Sequence, residues 1–578
     1  MIAVSNEFKN AIKNDERRIK GYVEVLYDVQ TPTTTVTSNM TSNYTDVSDI
    51  VSGGRVKQNY GTVDYLPLDG SYLTMDTSSN SDSGFISNNL SGANTGRTFT
   101  LSFASITLNG LTIYYKNNFP ETTNLTFSDG TTATITATDE ESYMQRIIFN
   151  EPKTLTSIQL TYDYWRYETR KVRIERIDLG LSRVYKDQDL VEFTIDEEVN
   201  KLVEEVPINE TNVTINNIND LFNPLNPEGI VKYLTEGSLI IPYIGVLTES
   251  LGVEYVKMGE FYFDSYTNNS DKTTTLVGKN ILKLVESEPL KDDNETNIFR
   301  TTISKTYFDN FMENYSYNYN YYPEWINCAT ILWKENNLFK LLKDLSFWQM
   351  NLFYGDRNNN LIFRKLDNTI QDTLTKSELI KNVEYTTINK LNTLNIIKNT
   401  YTGSSSSSTT KLLQETVTLT KSPQVFLIVA NNPDMFNCTV TQSGGSSVTK
   451  ISGGMYAVFV KVTGTVGDSV TLTFNGYAGS TISQKTFTKQ EEGTVLQNVL
   501  EFDSGIYYVV GNGTVDLKFP IIENAPSYKI SFDYNGDPSL EAGDYIEVET
   551  PYGYKSIFIQ KNQFKFNGGL QGSIEGVE

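Results

Sequence analysis

The sequence predicts a mainly β, multidomain protein: two barrel-like domains, each interrupted by an inserted β-sandwich, with a small α+β module between them. Three observations predict it. Alternating runs of β-branched and aromatic residues recur, as in "TFTLSFASITLNGLTIYY" and "SVTLTFNGYAG", while long 3.6-residue patterns are scarce. The length, 578 residues, is too great for one core, so several domains of roughly 100–200 residues are expected. Two polar tracts, "TPTTTVTSNMTSNYTD" and "GSSSSSTT", bury too little apolar surface to fold alone and read as linkers.

The elements follow in order. "NEFKNAIKNDERR" reads as a short amphipathic helix and "IKGYVEVLYDV" as a strand. That strand finds no partner in the linker after it, residues 31–46. Over 47–178, short strands with turn signals about every 8–12 residues mark a β-sandwich. From 179 the chain returns to the strand pattern of its first thirty residues. Residues 1–30 plus 179–287 therefore make the first barrel-like domain, with the sandwich inserted at a surface loop. Residues 288–370 make the α+β module. There Leu338, Leu341, Leu342 and Leu345 share a helical face, and "NLFYGDRNNNLIFRKL" is a hairpin with a Gly-Asp-Arg-Asn turn. Residues 371–402 plus 501–578 make the second barrel-like domain, with a Ser-rich linker at 403–410 and a second inserted sandwich at 411–500.

Composition excludes several chemistries. The net charge is −22, from 70 acidic and 48 basic residues, the wrong sign for holding DNA phosphates. An acidic wall still lets DNA slide past. Histidine is absent, which removes Ser-His and Cys-His pairs, HExxH metal sites and imidazole bases. Cys328 and Cys438 stand far apart, in no metal-ligand spacing, and read as unpaired core thiols. No signal peptide is read at the N-terminus. The run "SLIIPYIGVL" carries a proline and is about half a bilayer span, so no integral membrane segment is expected.

Carboxylates cluster at Asp139, Glu140 and Glu141, at Asp196, Glu197 and Glu198, and at Asp292, Asp293 and Glu295. A glycosidase needs two carboxylates about 5–10 Å apart with split pKa values. Neighbours on a strand point to opposite faces, so these runs read as solvated turns. In "DYNGDPSLEAGD", Asp533, Asn535, Asp537, Ser539, Glu541 and Asp544 follow a calcium-loop frame. Pro538 replaces the glycine such loops need, so the stretch reads as a turn between strands. No cofactor is expected. Tyr315, Tyr317, Tyr319 and Tyr321 alternate onto one face if extended, followed by Tyr322 and Trp325. Such faces bury in cores or subunit interfaces, or stack on sugars. Tyr162, Tyr164, Trp165 and Tyr167 raise the same question. Two Asn-Pro pairs, Asn223-Pro224 and Asn226-Pro227, follow the strand-like "NVTINNI". Proline fixes φ and restricts its predecessor, so a stiff, extended elbow is expected. It either guards a strand edge or forms a pre-ordered contact with another subunit.

Several segments resemble tail hub proteins of phages that infect Gram-positive bacteria. "GDPSLEAGDYIEVETPYGYKSIFIQKNQFKFNGGLQGSIEG" resembles their C-terminal strands. "TNVTINNINDLFNPLNP", "LTEGSLIIPYIGV" and "EYVKMGEFYFDSYTNN" resemble their first barrel, and "NNLFKLLKDLSFWQMNLFYGDRNNNLIFRKL" their middle module. "VSGGRVKQNYGTVDYLPLDGSYLTMD" and "FTLSFASITLNGLTIYY" are similar to a discoidin-like jelly roll found inside such hubs. The order of the segments carries the resemblance, and the 411–500 insert lies outside it. It implies a non-enzymatic virion protein at the tail tip or baseplate, similar to the contractile-phage baseplate hub. It also implies a homotrimer whose two tube domains alternate around the tail axis. The implied partners are a distal tail protein or tube ring, a tape measure protein, receptor-binding proteins or fibres, and a host surface glycan. DNA would be met only in passage, at ejection. Many tail-tip proteins of this kind extend into a peptidase or wall hydrolase, and this sequence stops at Glu578 after the closing hairpin. A carbohydrate-binding adhesin and a carboxylate-based polysaccharide depolymerase are the alternative readings.

Overall fold

The computed structural model describes residues 2–14, 16–30, 32–38, 85–86, 97–115, 119–137, 144–165, 173–202, 205–226, 229–249, 252–291, 302–303, 305–321, 328–329, 337–380, 383–402, 408–430, 435, 438–453, 457–478, 481–493, 496–502, 519–523 and 525–578. The protein is mainly β and multidomain. A fourteen-stranded sheet dominates it. Its path runs Glu384–Thr387, Tyr528–Tyr534, Leu570–Val577, Gly553–Phe566, Leu190–Glu198, Glu210–Asn216, Thr273–Lys279, Phe261–Asn268, Leu239–Leu247, Ile19–Leu26, Ser182–Lys186. Val253–Lys257 adds to Leu239–Leu247, while Ile370–Leu374 pairs in parallel with Tyr545–Thr550, itself the partner of Gly553–Phe566.

Strands from before and after the middle module therefore share one sheet. The seam is antiparallel, from Phe193 opposite Phe566 to Glu198 opposite Lys561. The Phe193 and Phe566 rings stack with centroids 5.1 Å apart. A Cβ on Gly21 would lie 2.7 Å from the Phe566 ring, so a glycine is needed for that ring to reach the first strand. One apolar core runs under both halves, from Phe8 and Val23 to Phe564 and Ile574.

The first helix, Asn6–Lys13, lies across this seam. Ser5 Oγ caps it, accepting from Phe8 N at 3.0 Å, and Phe8 and Ile12 enter the shared core. Ser5 N donates to Glu254 at 2.9 Å on one side, and Ile2 N to Ser539 O at 2.7 Å on the other. Lys13 pairs with Asp372 at 3.0 Å, and Arg17 donates to Gly536 O and Leu570 O.

A seven-stranded sheet holds Phe85–Ile86, Arg97–Tyr115, Pro120–Phe127, Thr132–Thr136, Met144–Trp165 and Arg173–Asp178 over a core of its own. Register breaks along its two longest strands, at Ser102/Ile106 and Leu108/Gly110, let them bend. Its seventh strand, Thr34–Ser38, pairs with Phe99–Phe103 and lies inside the stretch expected to be a linker. The run "TTVTS" is β-branched enough to add to an open edge once a partner strand is present. The sheet is fastened to Ile19–Leu26 by ions. Arg176 donates to Glu24 at 3.0 Å and lies 3.0 Å from Asp178, and Asp28 accepts from Leu181 N and Asn109.

In the chain between the strands of the two halves, helix Leu338–Gln349 buries Leu338, Leu341, Leu342 and Leu345, as its spacing predicts, beside hairpin Leu352–Gly355/Leu361–Arg364. Two three-stranded sheets, built on Ser469–Gly476 and Ala457–Thr463, enclose a core of Val417, Val460 and Leu472. Strand Thr393–Thr402 pairs with Thr481–Gln490, from the 411–500 stretch, and with Val499–Phe502, at the end of that stretch and the start of 501–578. Its register with Thr481–Gln490 runs through ten antiparallel pairs, from Thr393 opposite Gln490 to Thr402 opposite Thr481.

Candidate functional site

The hairpin turn after Gly355 builds the site from local chemistry. Asp356 accepts from the backbone N–H groups of Asn358 and Asn360 at 2.9 and 2.8 Å, and Asn359 adopts φ 57°. This fixes the turn and sends Arg357 inward. Along Leu190–Glu198, alternation puts Phe193, Ile195 and Glu197 on the buried face. Glu197 is thus the acid that meets Arg357. The two are each 5% exposed, and Arg357 Nη2 donates to Glu197 Oε2 at 2.9 Å while Nε donates to the other oxygen. The remaining guanidinium donors go to Pro538 O, to Leu540 O at 2.8 Å and to the Met258 sulfur at 3.8 Å.

One arginine therefore joins the middle module to segments from both halves of the large sheet. Burial pushes the Glu197 carboxyl up, and the facing guanidinium opposes that shift. The expectation that Asp196, Glu197 and Glu198 form a solvated turn is corrected here: they end a strand, and alternation buries the middle one. The acids at 139–141 and at 292, 293 and 295 lie outside the described residues.

The stretch with the calcium-loop frame is a turn between Tyr528–Tyr534 and Tyr545–Thr550. Asp537 Oδ1 accepts from Ser539 N and Oγ at 2.8 and 2.7 Å, and Asp544 accepts from Glu541 N. Its carbonyls at 538 and 540 receive the guanidinium, so an arginine supplies the positive charge. Among the described residues, no three acidic or cysteine side chains are grouped to hold a metal. A cleft of about 520 Å³ opens beside this junction, lined by Ile2, Tyr354, Asn358, Arg364, Lys365 and Glu541 among others.

The tyrosine face is turned inward. Tyr315 is buried, and Tyr317, Tyr319 and Tyr321 pack against the core of the middle module. Each hydroxyl has a partner: Tyr315 accepts from Lys291 N, Tyr317 donates to Glu288, Tyr319 donates to Asp309, and Tyr321 accepts from Asn351. Packing within the chain uses this face. Tyr322 and Trp325 lie outside the described residues, as do the side chains of Tyr164, Trp165 and Tyr167. Cys438 is a free, buried thiol, and burial raises its pKa; the Cys328 side chain lies outside the described residues.

The elbow differs from the extended loop the prolines predict. Asp220 N bonds Asn217 O, Asn223 N bonds Asp220 O, and Asn226 N bonds Asn223 O, so the chain closes a turn every three residues. Asparagine side chains stabilise these turns, with Asn223 Oδ1 accepting from Leu225 N at 2.9 Å and Asn226 Nδ2 donating to Asp220 O at 2.9 Å. Phe222 anchors the loop in the core, while Pro224 is exposed and Leu225 is 87% exposed. Pro227 lies outside the described residues.

No family model and no curated protein matches the chain. Solved structures similar to it include the 43 kDa tail protein of prophage MuSo2 from Shewanella oneidensis, at 10% identity and TM-score 0.40, covering 68% of this chain and 96% of that one. A tail protein from Neisseria meningitidis MC58 is similar at 7% identity and TM-score 0.38, covering 68% and 93%. Prophage tail protein gp18 from Listeria monocytogenes EGD-e is similar at 10% identity and TM-score 0.35, covering 68% and 91%.

Proposed function

We propose that this chain is a non-enzymatic structural hub of a phage tail tip or baseplate, which joins the tail tube to the host-recognition apparatus and lines the DNA exit path. The observation that carries this reading is the seam between Leu190–Glu198 and Gly553–Phe566. It sets two β-built halves of one chain side by side in fixed relation, and three copies then present six such faces to a sixfold tube. The order of hub-like segments in the sequence supports the same reading, and the absence of histidine narrows the chemistry an enzyme would need. The net charge of −22 suits a wall along which DNA slides without sticking. The discoidin-like insert would project outward and meet partner proteins or host glycan.

Size-exclusion chromatography with light scattering on the intact chain tests this. A trimer, imaged as a ring and found at the tip of tail particles, is the expected result. A stable monomer absent from virions overturns it. Strong binding of the chain to one glycan on an array, without oligomerisation, would favour an adhesin instead.

A further inference from the structure

Five Asn-Gly pairs occur in the sequence, and the fold treats them differently. Asn109–Gly110 lies inside strand Arg97–Tyr115, where Asn109 Nδ2 donates to Asp28 at 2.9 Å and a Cβ on Gly110 would collide with Ile147 O. Asn475–Gly476 ends strand Ser469–Gly476, with Asn475 opposite Lys411 on one side and Thr439 on the other. Asn535–Gly536 follows strand Tyr528–Tyr534. There Asn535 N donates to Glu378 O at 3.0 Å, and the buried Gly536 accepts from Arg17 at 3.2 Å. Asn512–Gly513 lies outside the described residues. Asn567–Gly568 belongs to the exposed turn between Gly553–Phe566 and Leu570–Val577. Asn567 N donates to Gly569 O at 3.2 Å, but the Asn567 side chain and Gly568 N have no hydrogen-bond partner among the described residues. Gly568 takes φ 93°, and no heavy atom stands within 4 Å of where a Cβ on Gly568 or Gly569 would lie.

We propose that Asn567 is a self-modification site, where the chain converts its own side-chain amide to a carboxylate. The Gly568 nitrogen attacks Asn567 Cγ. The new N–Cγ bond closes an imide ring as the Cγ–Nδ2 bond breaks, and Nδ2 leaves as ammonia with the proton of the Gly568 N–H. Water then opens the ring. Cleavage at Cγ gives aspartate, and cleavage at the backbone carbonyl carbon gives isoaspartate, with no oxidation or reduction in either branch. Glycine favours the attack, because it has no Cβ to crowd the nitrogen and its backbone turns freely. A strand opposes it, because a paired, extended backbone cannot swing its next nitrogen toward the side-chain carbon. Either product adds a negative charge two residues from Lys565, whose ammonium lies 3.0 Å from Glu192 across the seam.

The test incubates the intact chain at mildly alkaline pH and follows each Asn-Gly peptide by mass spectrometry, which reads the exchange of an amino group for a hydroxyl. A held pair must open locally before it can react, and an opening of about 1.4 kcal/mol already slows a step tenfold. Asn567 should therefore convert at least about tenfold faster than Asn109, Asn475 and Asn535 in the folded chain. In concentrated urea the turn and the strands are lost, and the four rates should converge. Conversion of Asn567 no faster than the other three in the folded chain overturns the proposal. A spread of rates that persists unchanged in urea overturns it too, because the preference would then come from sequence and not from the turn.

Discussion

Arg357 directs each of its five N–H donors inside the protein, to Glu197, two backbone carbonyls and a sulfur. A buried pair so fully satisfied is costly to break, because the survivor keeps its charge and loses its partner. Arg357→Met should therefore cost about 3–5 kcal/mol, and Glu197→Gln a comparable amount. Replacing both with apolar residues should cost less than the sum, read from guanidinium unfolding midpoints in a double-mutant cycle. Asp537 adds a pH effect. Its burial raises its pKa despite the bonds from Ser539. A carboxyl whose folded pKa is raised contributes stability fully below its unfolded value near 3.9 and loses it as pH climbs through the folded value. Asp537→Asn should flatten that decline, measured as unfolding midpoint against pH. The pairing of Glu197 with Arg357 is not legible in the sequence, since 160 positions separate them. The alternation of Phe193, Ile195 and Glu197 does mark Glu197 as inward-facing, and that signal is a local one.

At the scale of elements, local patterns are reliable where one face decides the structure. The leucines of Leu338–Gln349 and the alternating tyrosines of 315–321 lie as their spacing requires. Leu342→Ala should cost about 2–5 kcal/mol, because a fully buried side chain leaves a cavity. Ser5→Ala should cost about 1 kcal/mol through the lost cap. Urea denaturation of each variant measures both. The elbow shows where a local rule falls short. Proline restricts its neighbours, but asparagine side chains and the buried Phe222 pull the same residues into successive turns. The partners of Thr34–Ser38 and Thr393–Thr402 are not legible in local pattern, because strand pairing depends on segments far along the chain.

For the whole molecule, the decisive features are the seam and the strap across it. Phe8 and Ile12 enter the core beneath both halves, while Ser5, Lys13 and Arg17 tie the helix region to strands of each. In the ring proposed for this chain, a unit stiffened in this way would meet its neighbour with little ordering left to do, which lowers the entropy cost of assembly. Leu225 is almost fully exposed above the buried Phe222, and the proposed assembly would use it as a contact. Leu225→Asp should therefore weaken oligomerisation in light scattering and leave the unfolding midpoint within about 0.5 kcal/mol of the native value. Retention of the native oligomer at equal concentration would remove the elbow from the interface.

Composition and periodicity by themselves determined that this chain is β-rich, divided into several units, acidic and without imidazole chemistry. They also determined the faces of its helix and tyrosine strand, because a repeat of 3.6 or 2 residues is a local property. Only the tertiary structure decided that the two halves share a sheet and that an arginine occupies the loop with the calcium-like spacing. Those outcomes depend on which distant groups meet once the core has closed, and burial then makes every unmatched charge or donor count.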